Sequence, residues 1–369
     1  MQVDDQRRGS DAAARTAVGL SVKPAGNDDP GSSRRTPVPM PTTGPLVDTY
    51  GRVHRDLRIS VTDRCNLRCV YCMPEDMTFM DRRELLSFEE IARVVGVARS
   101  LGVTSVRLTG GEPLVRRGLA DLVAMIASSG VEDISLTTNA MLLGAQARSL
   151  REAGLRRVNI SCDSLRPERF AAIRRRGDLA TVLEAMNVAE AVGLTPLKVN
   201  VVLLRGENDD EIEDFAAFAR ETGRVVRFIE FMPLDAQGQW ERGRLVTGRE
   251  VWTRINARWP LRAIEGSSHV APAERFTFAD GRGEIGLISS VSEPFCGTCD
   301  RLRLTAEGSV RNCLFSDDEL SVRDALRASK DDEVVATLLR RAVWAKFPGH
   351  AINEENFLAP RRSMSMIGG

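Results

Sequence analysis

Strand-like and helix-like segments alternate between residues 57 and 232, and this restricts the possible folds more than any other feature of the chain. Strands are expected at 57–62, 104–109, 133–139, 157–163, 197–203 and 225–232, with helical periodicity at 88–100, 119–129, 145–153, 179–192 and 210–222. Ser87 followed by Glu90 forms a capping box before the first helix, and Asp209, Asp210 and Glu211 give the last an acidic first turn. Regular alternation of this kind means a parallel sheet with crossover helices. The expected fold class is α/β, an incomplete (β/α)6 TIM-like barrel.

Strand parity adds to this. Side chains alternate faces with period two, so Arg58, Ser60 and Thr62 share one face while Leu57, Ile59 and Val61 share the other. The split recurs: Ser105, Arg107 and Thr109 oppose Val106 and Leu108; Ser135, Thr137 and Asn139 oppose Ile134 and Leu136; Asn159, Ser161 and Asp163 oppose Val158 and Ile160; Lys198 and Asn200 oppose Leu197, Val199 and Val201. Helices must cover the apolar face, which leaves the polar face to line a lumen. A full eight-stranded barrel fills its interior with Val, Ile and Leu. Unpartnered buried polar groups cost roughly 1–3 kcal/mol each, so this lumen calls for a large polar ligand. The alternative is an open sheet with one solvated face.

At the end of the first strand stand Cys65, Cys69 and Cys72, spaced C-x3-C-x2-C. Soft thiolates select iron–sulfur clusters or zinc, and no fourth Cys or His lies in the loop. Inert burial and zinc are the alternatives; a cluster with one open iron needs no further protein ligand. The second strand ends in Thr109-Gly110-Gly111-Glu112-Pro113, at the mouth where barrel active sites form. The arrangement resembles the radical S-adenosylmethionine superfamily, whose C-x3-C-x2-C loop has an aromatic, here Tyr71, before its last cysteine. That resemblance implies a 4Fe-4S cluster on Cys65, Cys69 and Cys72. Its open iron binds S-adenosylmethionine, which is cleaved to a 5'-deoxyadenosyl radical. Tyr71, Gly111, Ser161 and Met232 fall where the superfamily places cofactor contacts.

Beyond residue 232 the alternation stops. A helix is expected at 247–258, strands at 275–278, 286–289, 301–305 and 310–312, and helices at 317–328 and 331–347, forming an α+β extension that closes the barrel opening. The extension carries a second triad, Cys296, Cys299 and Cys313, for which zinc completed by His269 or His350 is again an alternative. Arg301 and Arg303 share one strand face beside it, and paired guanidiniums suit a polyphosphate. Only four of the 51 basic residues are lysines (Lys23, Lys198, Lys330 and Lys346), so a lysine carries some information here.

Residues 1–48 are rich in Gly, Ser, Pro, Asp and Arg without apolar periodicity, and a disordered tail is expected. The expected organisation is then tail 1–48, partial barrel 49–232 and cluster-binding extension 233–369. A net charge of zero gives no broad footprint for nucleic acid, and no segment approaches a membrane span. Six of the seven cysteines lie in two tight triads, which fits a reducing compartment, and a cytoplasmic protein is expected.

The two triads, the Gly-Gly-Glu-Pro loop, Arg301-Leu302-Arg303 and the terminal Gly368-Gly369 together resemble the molybdenum cofactor biosynthesis protein A family, the GTP 3',8-cyclases, from about Arg55 to the C-terminus. The resemblance implies a second 4Fe-4S cluster on Cys296, Cys299 and Cys313 that holds the guanine of GTP. It implies Arg58, Arg107, Thr137, Lys198, Arg301 and Arg303 around the triphosphate and ribose, and Gly368 and Gly369 assisting catalysis. The implied reaction abstracts hydrogen from C3' and joins C3' to C8, giving (8S)-3',8-cyclo-7,8-dihydroguanosine triphosphate for a downstream cyclic pyranopterin monophosphate synthase. An unidentified electron donor is implied, and the family suggests a homodimer. The chain departs from the family at Ala140, commonly Gly, and at Cys162, commonly aliphatic and expected to face the helices. Other substrates for the radical chemistry, such as a peptide, and a two-cluster electron carrier are the alternative functions.

Overall fold

The computed structural model describes residues 39–235, 238–265, 272–355 and 357–368, so residues 1–38 of the expected tail, His269 and Gly369 lie outside it. The last residues of that tail do not follow expectation. Leu46, Asp48 and His54 are buried, Val47 bridges Val53, and the Leu46 N–H donates to the Leu101 carbonyl at 3.0 Å. One buried leucine with a paired backbone anchors a segment whose composition alone suggests a loose end.

All six expected strands form: β1 Asp56–Ser60, β2 Ser105–Thr109, β3 Asp133–Thr138, β4 Arg157–Ser161, β5 Lys198–Leu203 and β6 Val225–Glu230. The helices between them are α1 Phe88–Ser100, α2 Leu119–Ser128, α3 Leu143–Glu152, α4 Pro167–Arg174, α5 Leu179–Ala191 and α6 Ile212–Thr222. The Ser87–Glu90 capping box closes as expected. Helix α4 gave no periodic signal, because Phe170 and Ile173 are its only large apolar residues. Leu57, Ile59, Val106, Leu108, Val158, Ile160, Val199 and Val201 are buried with the inner faces of the helices in one core.

The extension contributes α7 Gly248–Arg258, β7 Leu261–Ala263, β8 Glu274–Phe278, β9 Glu284–Ile288, β10 Arg301–Leu304, β11 Ser309–Arg311, β12 Leu320–Ser321, α8 Arg323–Ala328, α9 Asp332–Trp344 and α10 Met364–Ile367. The helix expected at 317–328 is a correction: Leu320 pairs with Val310, and the helix starts only at Arg323. An available sheet edge overrode local helical preference.

The strands form one open sheet in the order β12-β11-β10-β1-β2-β3-β4-β5-β6-β9-β8-β7. Pairing is parallel from β10 through to β9, so the extension lengthens the six-stranded array at both edges. The opening is thus narrowed by strands of the same sheet, and the sheet remains unclosed. Among the described residues no helix is long and apolar enough to cross a membrane.

Candidate active site

Register converts the parity into a charged chamber. Arg58 of β1 pairs with Arg303 of β10 on one side and Arg107 of β2 on the other, so three arginines stand abreast on the lumenal face. Adjacent strands lie about 4.8 Å apart, and like charges directly opposite repel. Asp56, which is ion-paired with Arg58 at 3.7 Å, is the carboxylate among them. Burial raises its pKa, but Arg58, Arg107, Arg301 and Arg303 outweigh that and hold it below the usual range. Burial, with Arg107 beside it, pushes Arg58 down to about 9; burial, with Arg58 and Arg301, pushes Arg303 to about 9. All remain charged at neutral pH. Among the described residues, the Nε atoms of Arg58 and Arg227 have no hydrogen-bond partner.

Arg58, Arg107, Arg227 and Arg303 line a cavity of about 250 Å³ that also includes Cys65, Cys69, Cys72, Tyr71, Gly111, Thr137, Ser161, Arg301 and Met232. Lys198 has the expected lumenal parity but is not on the cavity lining. Burial first, then Arg227, Arg157 and Arg107, lower it to about 7.

Around the first triad, the Leu67 N–H and the Asn139 amide lie 3.4 and 3.7 Å from the Cys65 sulfur, and Arg174 Nη1 lies 3.4 Å from that of Cys69. Arg174 is buried and ion-paired at 2.8 Å with Asp163, which also accepts from the Tyr71 hydroxyl at 2.8 Å. Burial pushes Cys65 up to about 11 and raises Cys69 and Cys72, so a metal held by these thiols would have to drive their deprotonation. The Gly-Gly turn has a role that its sequence hides. A Cβ on Gly111 would lie 2.5 Å from the Arg64 carbonyl oxygen, and the Gly111 and Glu112 N–H groups donate to Thr62 and Arg64. The glycines therefore let β2 close against the chain entering the cysteine loop.

Cys296, Cys299 and Cys313 line a second hollow of about 60 Å³ together with His350 and Asn312. Met232, Ser290, Phe295, Arg301, Arg303 and Leu314 face both spaces, which makes them adjoining parts of one chamber. Arg301 Nε and Lys346 Nζ lie 3.3 and 3.4 Å from the Cys299 sulfur. Burial raises Cys299, but Arg301 and Lys346 outweigh it and bring the thiol down to about 6. A zinc ion needs its sulfur ligands about 2.3 Å from one point. Among the described residues no three or more His, Cys, Asp or Glu side chains converge as a single ion requires. A cluster would bind each thiolate through a different iron, and its sulfurs would accept from N–H donors such as those beside Cys65, Cys69 and Cys299.

The C-terminal tail reaches the same chamber. Gly368, at φ +82°, accepts from Arg303 at 2.8 Å, and a Cβ there would lie 2.4 Å from Thr109 Oγ1.

Residues 59–219 match the model of the Radical SAM superfamily, and residues 224–352 that of Molybdenum Cofactor Synthesis C. A Streptomyces coelicolor relative named GTP 3',8-cyclase is 48% identical over 88% of this chain and 96% of its own length. The chain belongs to the GTP 3',8-cyclase family. Family relatives from Corynebacterium glutamicum (42% identical, covering 96% of this chain and all of that one) and Mycobacterium tuberculosis (GTP 3',8-cyclase 2; 47%, covering 89% and 94%) also match along most of their length. As in the wider superfamily, an iron–sulfur cluster and S-adenosylmethionine are the cofactors. Solved structures share the fold at low identity. Streptococcus suis SuiB bound to S-adenosylmethionine has a TM-score of 0.57 at 13% identity, over 87% of this chain and 76% of that one. The protein anSMEcpe with bound AdoMet scores 0.53 at 15%, over 80% and 82%.

Within this family member, several functional neighbours escaped the sequence reading. Arg227 shares its strand face with Val225 and Ile229, so carrying the parity through β6 would have exposed it. Lys346 carried only the weak signal of being one of four lysines. Arg174 had none, since it sits on the unanticipated α4. Of the departures from the family pattern, Ala140 adopts φ 66°, a left-handed conformation that favours glycine and costs alanine about 1 kcal/mol. Cys162 lies in the core behind the sheet, as its parity implied.

Proposed function

We propose that this protein is a GTP 3',8-cyclase, performing the first step of molybdenum cofactor biosynthesis by joining C3' of the ribose to C8 of the guanine of GTP. The row of Arg303, Arg58 and Arg107, with Arg227 on β6 and Arg301 beside it, carries this reading. Buried guanidiniums with unmet donors are suited to a triphosphate, which offers bidentate oxygens and the missing negative charge. A neutral peptide would leave these charges uncompensated.

Joining C3' to C8 within one nucleotide requires both its ends to be held. The arginine row and Thr137 would hold the triphosphate and ribose, while the second hollow, with a further 4Fe-4S cluster on Cys296, Cys299 and Cys313, would hold the base. Cys65, Cys69 and Cys72 would hold the first cluster, and Tyr71, Gly111, Ser161 and Met232 would contact S-adenosylmethionine. When bound, these cofactors supply a carbon-centred radical able to remove an unactivated hydrogen. The protein fixes the reacting carbons together and excludes water, and the tail glycine Gly368 seals the arginine end. The reading extends to a cytoplasmic setting, an external electron donor, a downstream cyclic pyranopterin monophosphate synthase and a homodimer.

Anaerobically purified protein should carry about eight irons per chain with matching sulfide. With S-adenosylmethionine and a reductant it should convert GTP, and not ATP, to the cyclised product. Stoichiometric zinc without sulfide, or turnover of another substrate with none of GTP, would overturn the proposal.

A pH effect follows from Lys198. A bound polyanion raises its pKa from about 7, so GTP binding takes up protons near neutrality and weakens as pH rises through the bound-state value. Calorimetry in buffers of different ionisation enthalpy should detect this uptake at pH 7.5, and Lys198→Gln should remove it.

A further inference from the structure

We propose that Arg52 is a positioning residue for the second cysteine triad, tying it to the strand that leads into the first. The inference rests on the reading that Cys296, Cys299 and Cys313 hold a cluster. Arg52 lies in a segment of turn-forming composition, Val47-Asp48-Thr49-Tyr50-Gly51-Arg52, yet this segment is tightly built. Asp48, 2% exposed, accepts the backbone N–H groups of Tyr50 and Arg52 on Oδ1, at 2.9 and 3.0 Å. Its Oδ2 meets Arg52 Nε at 2.5 Å and His54 Nε2 at 3.1 Å. Nδ1 of the fully buried His54 has no partner among the described residues, so the tautomer that donates from Nε2 fits the site.

With Nε fixed, the far edge of the guanidinium has one orientation. Nη1 donates to the carbonyls of Cys296 at 2.7 Å and Pro348 at 3.1 Å, and Nη2 to that of Phe347 at 2.7 Å. These carbonyls belong to the two segments that converge on the triad. One begins with Cys296 itself. The other follows Lys346, whose ammonium lies 3.4 Å from the Cys299 sulfur, and includes Gly349, where a Cβ would lie 3.9 Å from the Cys296 sulfur.

The segment is also held at its start, where Arg340 of α9 donates to the carbonyls of Thr43, Gly44 and Pro45. It leads by way of residues 53–55 into β1, which carries Arg58 and ends at Ser60, five positions before Cys65. Arg52 thus gives the second triad a fixed place relative to the arginine row and the first triad. Only a planar fork can serve three carbonyls and a carboxylate at once; a lysine offers a point charge.

The test uses full-length chain reconstituted anaerobically in two backgrounds. One carries Cys65→Ser, Cys69→Ser and Cys72→Ser and so keeps only the second triad; the other carries Cys296→Ser, Cys299→Ser and Cys313→Ser and keeps only the first. In the second-triad background, Arg52→Ala should lose iron to a chelator about 10–100-fold faster and shift the paramagnetic spectrum of the reduced cluster. Arg52→Lys should also shift that spectrum. In the first-triad background neither substitution should alter iron retention or spectrum. Unchanged retention and spectrum in the second-triad background overturns the proposal, as does equal loss in both backgrounds, which marks a general folding role. If the second-triad background binds no iron or sulfide even with Arg52 intact, the second-cluster reading itself fails.

Discussion

Cys69→Ala is expected to abolish reductive cleavage of S-adenosylmethionine, while Cys313→Ala largely retains that cleavage and loses cyclisation of GTP. The two cysteines sit in adjoining parts of one chamber with different cation partners. Cys69 is buried against Arg174, and Cys313 stands in the hollow where Arg301 and Lys346 approach the neighbouring Cys299. With the proposed ligand set, removing one thiolate from the first triad leaves a cluster site with two protein ligands at the point where the cofactor would bind. Removing Cys313 leaves the first triad, Asp163 and Arg174 intact. Chromatographic assay of 5'-deoxyadenosine release, with and without GTP, separates the outcomes, and GTP-dependent change in the spectrum of the proposed second cluster should vanish only in Cys313→Ala. Equal loss of both activities in both variants would contradict a division of labour between the triads.

Gly368→Ala should lower cyclisation about 100-fold while leaving the folded body unchanged, because a left-handed backbone position and a clash with Thr109 Oγ1 and Ser60 Cβ together cost roughly 3 kcal/mol. The cost falls on insertion of the tail rather than on folding, since α10 and Gly368 contribute no strand to the sheet. Withdrawal of Gly368 also removes the carbonyl that receives Arg303 at 2.8 Å, leaving that guanidinium in the chamber without this partner. The affected quantity should be the turnover number more than the Michaelis constant for GTP, because the arginine row itself remains. A peptide ending in Gly-Gly added in trans should restore part of the activity; wild-type turnover in Gly368→Ala would show that the inserted position has no catalytic role.

Much of the chamber was legible because its rules are local. Period two within β1 to β5 was enough to assign Arg58, Arg107 and Thr137 to the lumen, and cysteine spacing was enough to group the triads. The same rule set Lys198 on the lumenal face but not at the cavity lining, for parity gives a face and not a depth along it. Helix α4 was illegible because two apolar residues among charges make no periodic stripe, and Arg174 was lost with it. The segment around Leu46 was misread because composition averages over a stretch in which a single buried residue decides order.

By itself, then, the sequence determined the parallel α/β class, the polar face of each early strand, the two sets of thiols and the family. Tertiary structure alone decided that β10 lies beside β1, which sets Arg303 next to Arg58, and that β9 extends the far edge. It alone brought Lys346 to Cys299, Gly368 to Arg303 and Arg52 to the Cys296 carbonyl. The reason is one of range. Alternation and ligand spacing are properties of neighbouring residues, whereas these contacts join residues far apart in the chain. They form only when a shared core and a common sheet register have already fixed where each strand ends.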